Sequence, residues 1–154
     1  MNFSQELDVL RAEKVALVLP GFAEDEAFRL GCLLRQRAAD AQLPVVIDIA
    51  LFDRPLFYAA LPGSTFDNRE WARRKANVAR RFHISSYQMQ LELQQRGTNL
   101  FDSYGLSENE YAAHGGAVPL RVQGCGVIGT ATVSGLPAHL DHRLVVEGIR
   151  ELVK

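Results

Sequence analysis

Hydrophobic positions recur along the chain in two periods, one helical and one extended. Between residues 24 and 41, Ala27, Leu30, Leu34 and Ala38 recur at the spacing of a helix. The short apolar run KVALVL at 14–19, closed by a Pro-Gly pair, predicts a strand. The predicted elements in chain order are a strand at 14–19, a helix at 24–41, strands at 45–52 and 56–61, helices at 67–82 and 85–96, a short helical turn at 107–110, strands at 117–123 and 127–134, and a helix at 138–153.

Two pairs of predicted strands are each separated by a short turn. Asp53-Arg54-Pro55 separates one pair, and Gly124-Cys125-Gly126 separates the other. Two hairpins predict an antiparallel sheet with helices packed on it, so the expected fold class is α+β with five strands. A doubly wound parallel sheet would need strands that alternate with helices. Asp67, with Glu70 three residues later, is a variant capping box that predicts the start of the third helix.

Composition narrows the class of protein. With 154 residues, 47% hydrophobic and 23% charged, the chain is expected to fold as one domain over residues 1–154. A net charge of −1 gives no electrostatic reason to bind nucleic acid. No apolar run approaches the roughly 18 residues of a membrane span, and the first residues do not resemble a signal peptide. Two cysteines, Cys32 and Cys125, are too few for a disulfide scaffold, so we expect a cytoplasmic protein.

The segment 124–129 matches the pattern G-x-G-x-x-G but lacks its usual setting. A dinucleotide site needs a strand before the glycines and a helix after them, so that the helix N-terminus holds the pyrophosphate. Here the glycines precede Thr130-Ala131-Thr132-Val133, a strand-like run. We therefore expect a hairpin turn without nucleotide function.

The helix from Asp67 places a lysine among apolar residues. At 100° per residue Trp71, Val78 and Phe82 share a stripe with Lys75, and Arg74 lies at the border of this stripe. A lysine in that position either extends to solvent, pairs with a carboxylate such as Asp48, or forms a cationic floor for an anionic ligand beside Trp71.

Two histidine-containing segments offer further chemistry. His114-Gly115-Gly116 precedes a strand, and its glycines let another group approach the backbone closely. His114 is then a proton donor, a metal or haem ligand, or a solvated loop residue. In the last segment, Asp141 lies in the first turn of the final helix on its buried stripe, where the helix dipole favours a carboxylate. His139 and His142 form only a weak zinc signal, and Ser134 with His142 and Asp141 lacks a nucleophile elbow.

These segments also carry a family resemblance. The chain resembles an uncharacterised family of small cytosolic proteins in the haem-degrading-domain superfamily, which includes GlcG-like proteins and an extracellular haem-binding sensor protein. The resemblance covers nearly the whole chain and rests on Phe66-Asp67-Asn68, Trp71, Arg74-Lys75, Phe82, Ser85-Ser86, the run 114–120 (HGGAVPL), the run 133–137 (VSGLP) and Asp141-His142. It implies a profilin-like fold, in which a five-stranded antiparallel sheet lies between helices, and a homo-oligomer built from dimers. It also makes haem a candidate cofactor, because haem binding is reported for some members of the superfamily.

The first hypothesis is an oligomeric protein that binds a planar or anionic small molecule. The candidate ligand-binding residues are Trp71, Arg74, Lys75, His114, Gly115, Gly116 and Arg121. One alternative is an enzyme in which His114 is the acid or base and Lys75 or Arg121 stabilises negative charge. The other alternative is a protein-binding scaffold without a ligand. No metal-ligand set is predicted. If haem binds through its iron, His114 is the expected ligand, ahead of Cys32, Cys125, His83 and His139.

Overall fold

The computed structural model describes residues 2–154. The helices are α1 (Phe3–Ala16), α2 (Glu24–Asp40), α3 (Phe66–Phe82), α4 (Ser86–Arg96), α5 (Leu100–Tyr104) and α6 (Ala138–Val153). The strands are β1 (Val46–Leu51), β2 (Pro55–Ala60), β3 (Ala117–Val122) and β4 (Gly126–Ser134). Within the described residues, no helix has both the length and the apolar character needed to cross a membrane.

The strands form one antiparallel sheet in the order β2-β1-β4-β3. Asp48 of β1 lies opposite Tyr58 on β2 and Thr132 on β4, which sets the register of the three strands. The antiparallel α+β prediction is confirmed, but the predicted number of five strands is wrong, because the described residues form four.

The missing strand is the segment 14–19. Helix α1 continues through Ala16 and its last turn closes at Leu17, while Leu19 makes only an isolated bridge to Val122. The side chain of Asn2 caps the start of α1 together with Gln5, and this local signal begins a helix that the strand prediction missed. The apolar run therefore ends a helix, and only Leu19 reaches the edge of the sheet.

The sheet lies between two layers of helices. Alternate residues of each strand face one layer or the other. Ile47 and Ile49 of β1 face the main core beneath α2 and α6. This core consists mainly of Leu30, Leu34, Leu120, Ala131, Val133, Val145 and Ile149. Helix α3 covers the opposite face through contacts with β1, β3 and β4. The central strand β4 is buried from Gly129 to Ser134, as expected for a strand with helices on both sides.

At three other places the observed structure differs from the prediction. Helix α3 is capped by Thr65 and Asn68 and not by Asp67 and Glu70, since the Thr65 hydroxyl accepts the Asn68 N–H at 3.3 Å. Residues 107–110 form a hydrogen-bonded turn without a helix. Helix α5, which was not predicted, is capped by Asn99. By contrast, the hairpin at 124–126 is present as predicted, and β4 follows it where a dinucleotide site would need a helix.

Candidate functional site

The predicted site residues of α3 meet the segment before β3. The main-chain oxygen of Arg74 accepts a hydrogen bond from the Ala112 N–H at 3.2 Å, and the Arg74 guanidinium donates to the Glu108 oxygen at 3.1 Å. These bonds hold residues 108–114 along α3 and bring His114 against Trp71. The two rings meet edge to face with centroids 5.1 Å apart. The guanidinium carbon of Arg74 lies 4.2 Å from the centroid of the indole ring, which is cation–π distance.

Trp71 and His114 stand between two cavities. The first, which we call the aromatic groove, has a volume of about 310 Å³ and lies between α3, α4, α5 and residues 108–114. Its polar lining includes Arg74, Gln90 and Tyr111. The second, which we call the α6 cleft, has a volume of about 270 Å³ and lies at the start of α6. Both cavities are lined by Trp71 and His114, so a single ligand can contact this pair from either side.

Lys75 lies at the inner wall of the α6 cleft. Its carboxylate partner is Asp141 and not Asp48, the example given from the sequence. Its ammonium donates to Asp141 Oδ2 at 3.1 Å, to the Gly115 oxygen at 3.0 Å and to the Val133 oxygen at 3.1 Å. Since an ammonium group has three N–H donors, none is left for a ligand. The observed geometry assigns Lys75 to a structural ion pair and gives no support to its predicted role as a ligand-binding cation.

Burial disfavours the charged forms of both Lys75 and Asp141. Lys75 is 3% exposed and Asp141 is 1% exposed. Removal from water lowers the pKa of Lys75 and raises the pKa of Asp141, while the attraction between the two charges acts in the other direction. Asp141 also accepts the N–H groups of Leu136 at 3.0 Å and Gly135 at 3.3 Å. The pair thus ties α3, the end of β4 and α6 together beneath the cleft.

Gly115 and Gly116 allow close packing next to this pair. Gly116 has a φ of +142°, and a Cβ there would meet the Val133 oxygen and lie 2.6 Å from Lys75 Nζ. The Gly115 N–H donates to Gln90 Oε1 at 2.9 Å. That N–H therefore already has an acceptor within the protein. Gly116 thus allows close packing over the lysine, whereas Gly115 allows close packing against Ala138 at the start of α6.

His114 is the titratable group of the site that faces both cavities. The residue as a whole is exposed, but its ring packs on Trp71. This partial burial lowers the pKa of the imidazole, and the positive charges of Lys75 and Arg74 lower it further. A neutral imidazole keeps one nitrogen lone pair, which can accept a proton or bind a metal.

Arg121 lies apart from the other candidate residues. Its guanidinium donates to the His83 oxygen at 2.7 Å and lines a separate small cavity with Pro119 and Ser85. On β3 it is four residues from Ala117, roughly 13 Å along an extended strand. The structure therefore gives no support to the enzyme alternative in which Arg121 stabilises charge near His114.

The residues of the weak zinc and catalytic-set hypotheses do not come together around the last helix. His142 pairs with Glu13 of α1 at 3.0 Å and contacts Tyr87, while His139 is exposed. Ser134 lines the α6 cleft, whereas His142 lies outside it, so no catalytic set with Asp141 is assembled. Residues 2–154 contain no group of three or more His, Cys, Asp or Glu arranged to hold a metal ion.

Two residues of the site were missed by the sequence analysis. Gln90 lines the aromatic groove and accepts from Gly115, and Asn68 lines the α6 cleft. Asn68 carries a local signal, because a polar residue three positions after Thr65 fits a capping box. Gln90 carries none, since its partner lies 25 residues away in the chain.

Comparison with known proteins places the chain in a family. A family model described as haem degrading protein HbpS-like matches residues 22–150. The UPF0303 protein of Paraburkholderia xenovorans (strain LB400) is 48% identical over 149 residues, which cover 97% of this chain and 90% of that protein.

Two solved structures resemble this one. The Ybr137w protein superposes with a TM-score of 0.88 at 30% identity, over 96% of this chain and 87% of that chain. The PduOC:Heme complex superposes with a TM-score of 0.72 at 21% identity, over 84% of this chain and 93% of that chain, a likeness of fold. Since the family model spans most of the sequence and close relatives span nearly all of it, this chain belongs to the family described as haem degrading protein HbpS-like.

Proposed function

We propose that this protein binds a planar or anionic small molecule at the Trp71–His114 wall, and that haem is the first ligand to test. The observation that carries the proposal is the placement of both rings between two cavities, with a guanidinium held 4.2 Å from the indole centroid. An aromatic face beside a fixed cation favours a flat ligand that carries negative charge.

Haem fits this chemistry because it combines a flat macrocycle with carboxylates. Direct ligation would need His, Cys, Met or Tyr at the iron. His114 is the proposed ligand, since its lowered pKa favours the neutral imidazole and its ring lines both cavities. The family description and the haem complex of the structural neighbour PduOC support this choice of ligand.

The test is a titration of the purified protein with haemin, followed by the Soret band. We expect a shift that saturates at stoichiometric haemin in the wild type and is lost in His114→Ala. His139→Ala is the matched control, because His139 is exposed and lies outside both cavities. A non-saturating shift in the wild type would contradict a specific haem site. A saturating shift that His114→Ala leaves unchanged would remove His114 as the ligand.

Trp71→Leu separates stacking from ligation. We expect it to weaken binding of iron-free protoporphyrin as well as haemin, because stacking on the indole does not need iron. The remaining parts of the proposal are a single cytoplasmic domain over residues 1–154 and a homo-oligomer, built from dimers, that binds neither nucleic acid nor membrane.

A further inference from the structure

The α6 cleft contains polar donors that have no acceptor among residues 2–154. Ser134 is 3% exposed and lines the cleft, yet its hydroxyl makes no hydrogen bond to any group in residues 2–154. The indole N–H of Trp71, which lines the same cleft, also has no acceptor among those residues. Buried polar groups normally have partners because an unpaired donor costs free energy. The unpaired hydroxyl of the buried residue Ser134 therefore points to an acceptor that enters the cleft from outside, and the indole of the half-buried Trp71 offers a second donor there.

The start of α6 adds further donors. The helix is 16 residues long, and its N-cap, Pro137, offers no side chain to its first N–H groups. Ala138, the first residue of α6, lines the cleft. The free N–H groups of a first turn and the helix dipole both favour negative charge. The carboxylate of Asp141 does not fill this role, since it accepts from Leu136 and Gly135, which precede the helix.

The charge balance of the cleft selects the kind of anion. The positive charge of Lys75 is already neutralised by Asp141, 3.1 Å away. A group with two negative charges would then face the Asp141 carboxylate without a free cation to compensate. A carboxylate, with one negative charge and two acceptor oxygens, fits the available N–H and O–H donors better.

We propose that the α6 cleft binds a carboxylate group of the ligand, with Ser134 Oγ, the Trp71 indole N–H and the first turn of α6 as donors. This inference rests on the proposed function, because Trp71 and His114 line both the cleft and the aromatic groove. The flat part of the ligand lies in the groove and its carboxylate lies in the cleft.

The chain has one tryptophan, so its indole N–H gives a single resonance for the test. The full-length protein labelled with ¹⁵N is titrated at constant ionic strength with benzoate, benzamide and inorganic phosphate. We expect saturable shifts of the indole and of the Ala138 and His139 amides with benzoate, and at least about tenfold weaker binding of benzamide, which has the same shape without the charge. Equal effects of benzoate and benzamide, or no saturable shift, would overturn the carboxylate site. Tighter binding of phosphate than of benzoate would overturn the choice of a singly charged group.

Ser134→Ala distinguishes a binding role from a structural one. Because the hydroxyl has no partner within the described residues, we expect the thermal midpoint to stay the same or rise while benzoate affinity falls about fivefold or more. Ser103→Ala, an exposed serine on α5, is the control and should leave the affinity unchanged. Unchanged benzoate affinity in Ser134→Ala would overturn the proposed role of Ser134.

Asn68→Asp is a second variant that keeps an acceptor for the Thr65 N–H but places a negative charge in the cleft. It should weaken benzoate binding and leave benzamide binding unchanged, and an equal effect on both would contradict the site. The haemin titration is a separate measurement. Benzoate binding without haemin binding would leave the carboxylate site standing and reject the haem ligand, while haemin binding without benzoate binding would do the reverse.

Discussion

Lys75 is a buried charged side chain whose three N–H donors are all taken by groups of the protein. Its ammonium holds Gly115, Val133 and Asp141, which belong to different parts of the chain. Burying two charges is costly, and a buried ion pair is weak evidence for net stability. Removing one partner is different, because the other charge is left buried without compensation.

We therefore expect Lys75→Met to lower the free energy of unfolding by about 3–5 kcal/mol. The measurement is urea unfolding followed by circular dichroism. Lys154→Met is the matched control: it removes a lysine that is paired with Glu151 at the surface, and it should leave the free energy of unfolding nearly unchanged. The double variant Lys75→Met/Asp141→Asn should lose less stability than the sum of the two single variants. A strictly additive result would show that the two side chains are not coupled.

The titration of His114 is expected to make the free energy of unfolding depend on pH. Its pKa in the folded protein lies below the usual 6.5, through partial burial and the charges of Lys75 and Arg74. Below pH 6.5 the unfolded chain then binds the proton more readily than the folded one, so the free energy of unfolding falls as pH decreases from 6.5 towards the folded pKa. Above 6.5 this contribution is constant. We expect an NMR titration of the imidazole to show a midpoint below 6.5, and His114→Asn to remove this part of the pH dependence. A midpoint at or above 6.5 would contradict the prediction.

At the scale of elements, α1 is the longer of the two helices that the sequence did not predict. It packs Leu7 and Leu10 against Leu91 of α4, in a small cluster separate from the main core. The segment after it brings Leu19 to the outer edge of β3, where its N–H donates to the Arg121 oxygen at 2.8 Å. Helix α1 therefore joins the N-terminal segment to α4 and to one edge of the sheet.

A substitution pair tests this packing. Leu7 is 1% exposed, whereas Val15 on the same helix is 77% exposed. Leu7→Ala should lower the free energy of unfolding by about 2–5 kcal/mol, because it leaves a cavity between α1 and α4. Val15→Ala should change it by less than about 0.5 kcal/mol. Chemical denaturation of the two variants gives the comparison, and similar small losses would mean that α1 is not docked in solution.

At the scale of the whole molecule, the two edges of the sheet differ. Leu19 covers part of the β3 edge, since the Gln123 N–H also donates to its oxygen at 2.9 Å. The outer edge of β2 has no such strand beside it within residues 2–154. The Leu61 N–H donates to Val45 next to β1, so alternation turns the backbone groups of Tyr58 outward. An open edge of this kind favours pairing with another chain.

The proposed homo-oligomer can be tested at this edge. We expect sedimentation velocity at micromolar concentration to show a species larger than the 17.1 kDa monomer. Tyr58→Lys should shift it towards the monomer, because a lysine on an edge strand opposes pairing. Phe101→Lys adds the same charge to an exposed aromatic position on α5 and should have no effect. A wild-type monomer would refute self-association, and an unaffected Tyr58→Lys oligomer would exclude the β2 edge as its interface.

The sequence by itself determined most of the regular elements, because their signals are local. The predicted helix at 138–153 coincides with α6, and the predicted second hairpin matches β3 and β4 to within one residue. Hydrophobic period, helix caps and turn glycines each act over a few residues, so they can be read without the fold. The same local rules failed at residues 14–19, where an apolar run at the end of a helix has the composition of a strand.

Only the tertiary structure decided how the site is built. Lys75 and Asp141 are 66 residues apart, and their sequence positions predict a buried charge on each helix without predicting that the two meet. The same holds for Gln90 and Gly115, 25 residues apart. Arg121 was included in the predicted site because its side chain is cationic, but the register of β3 places it beside His83. Pairings of this kind depend on how the sheet and helices pack, and packing is a property of the whole chain that no local pattern encodes.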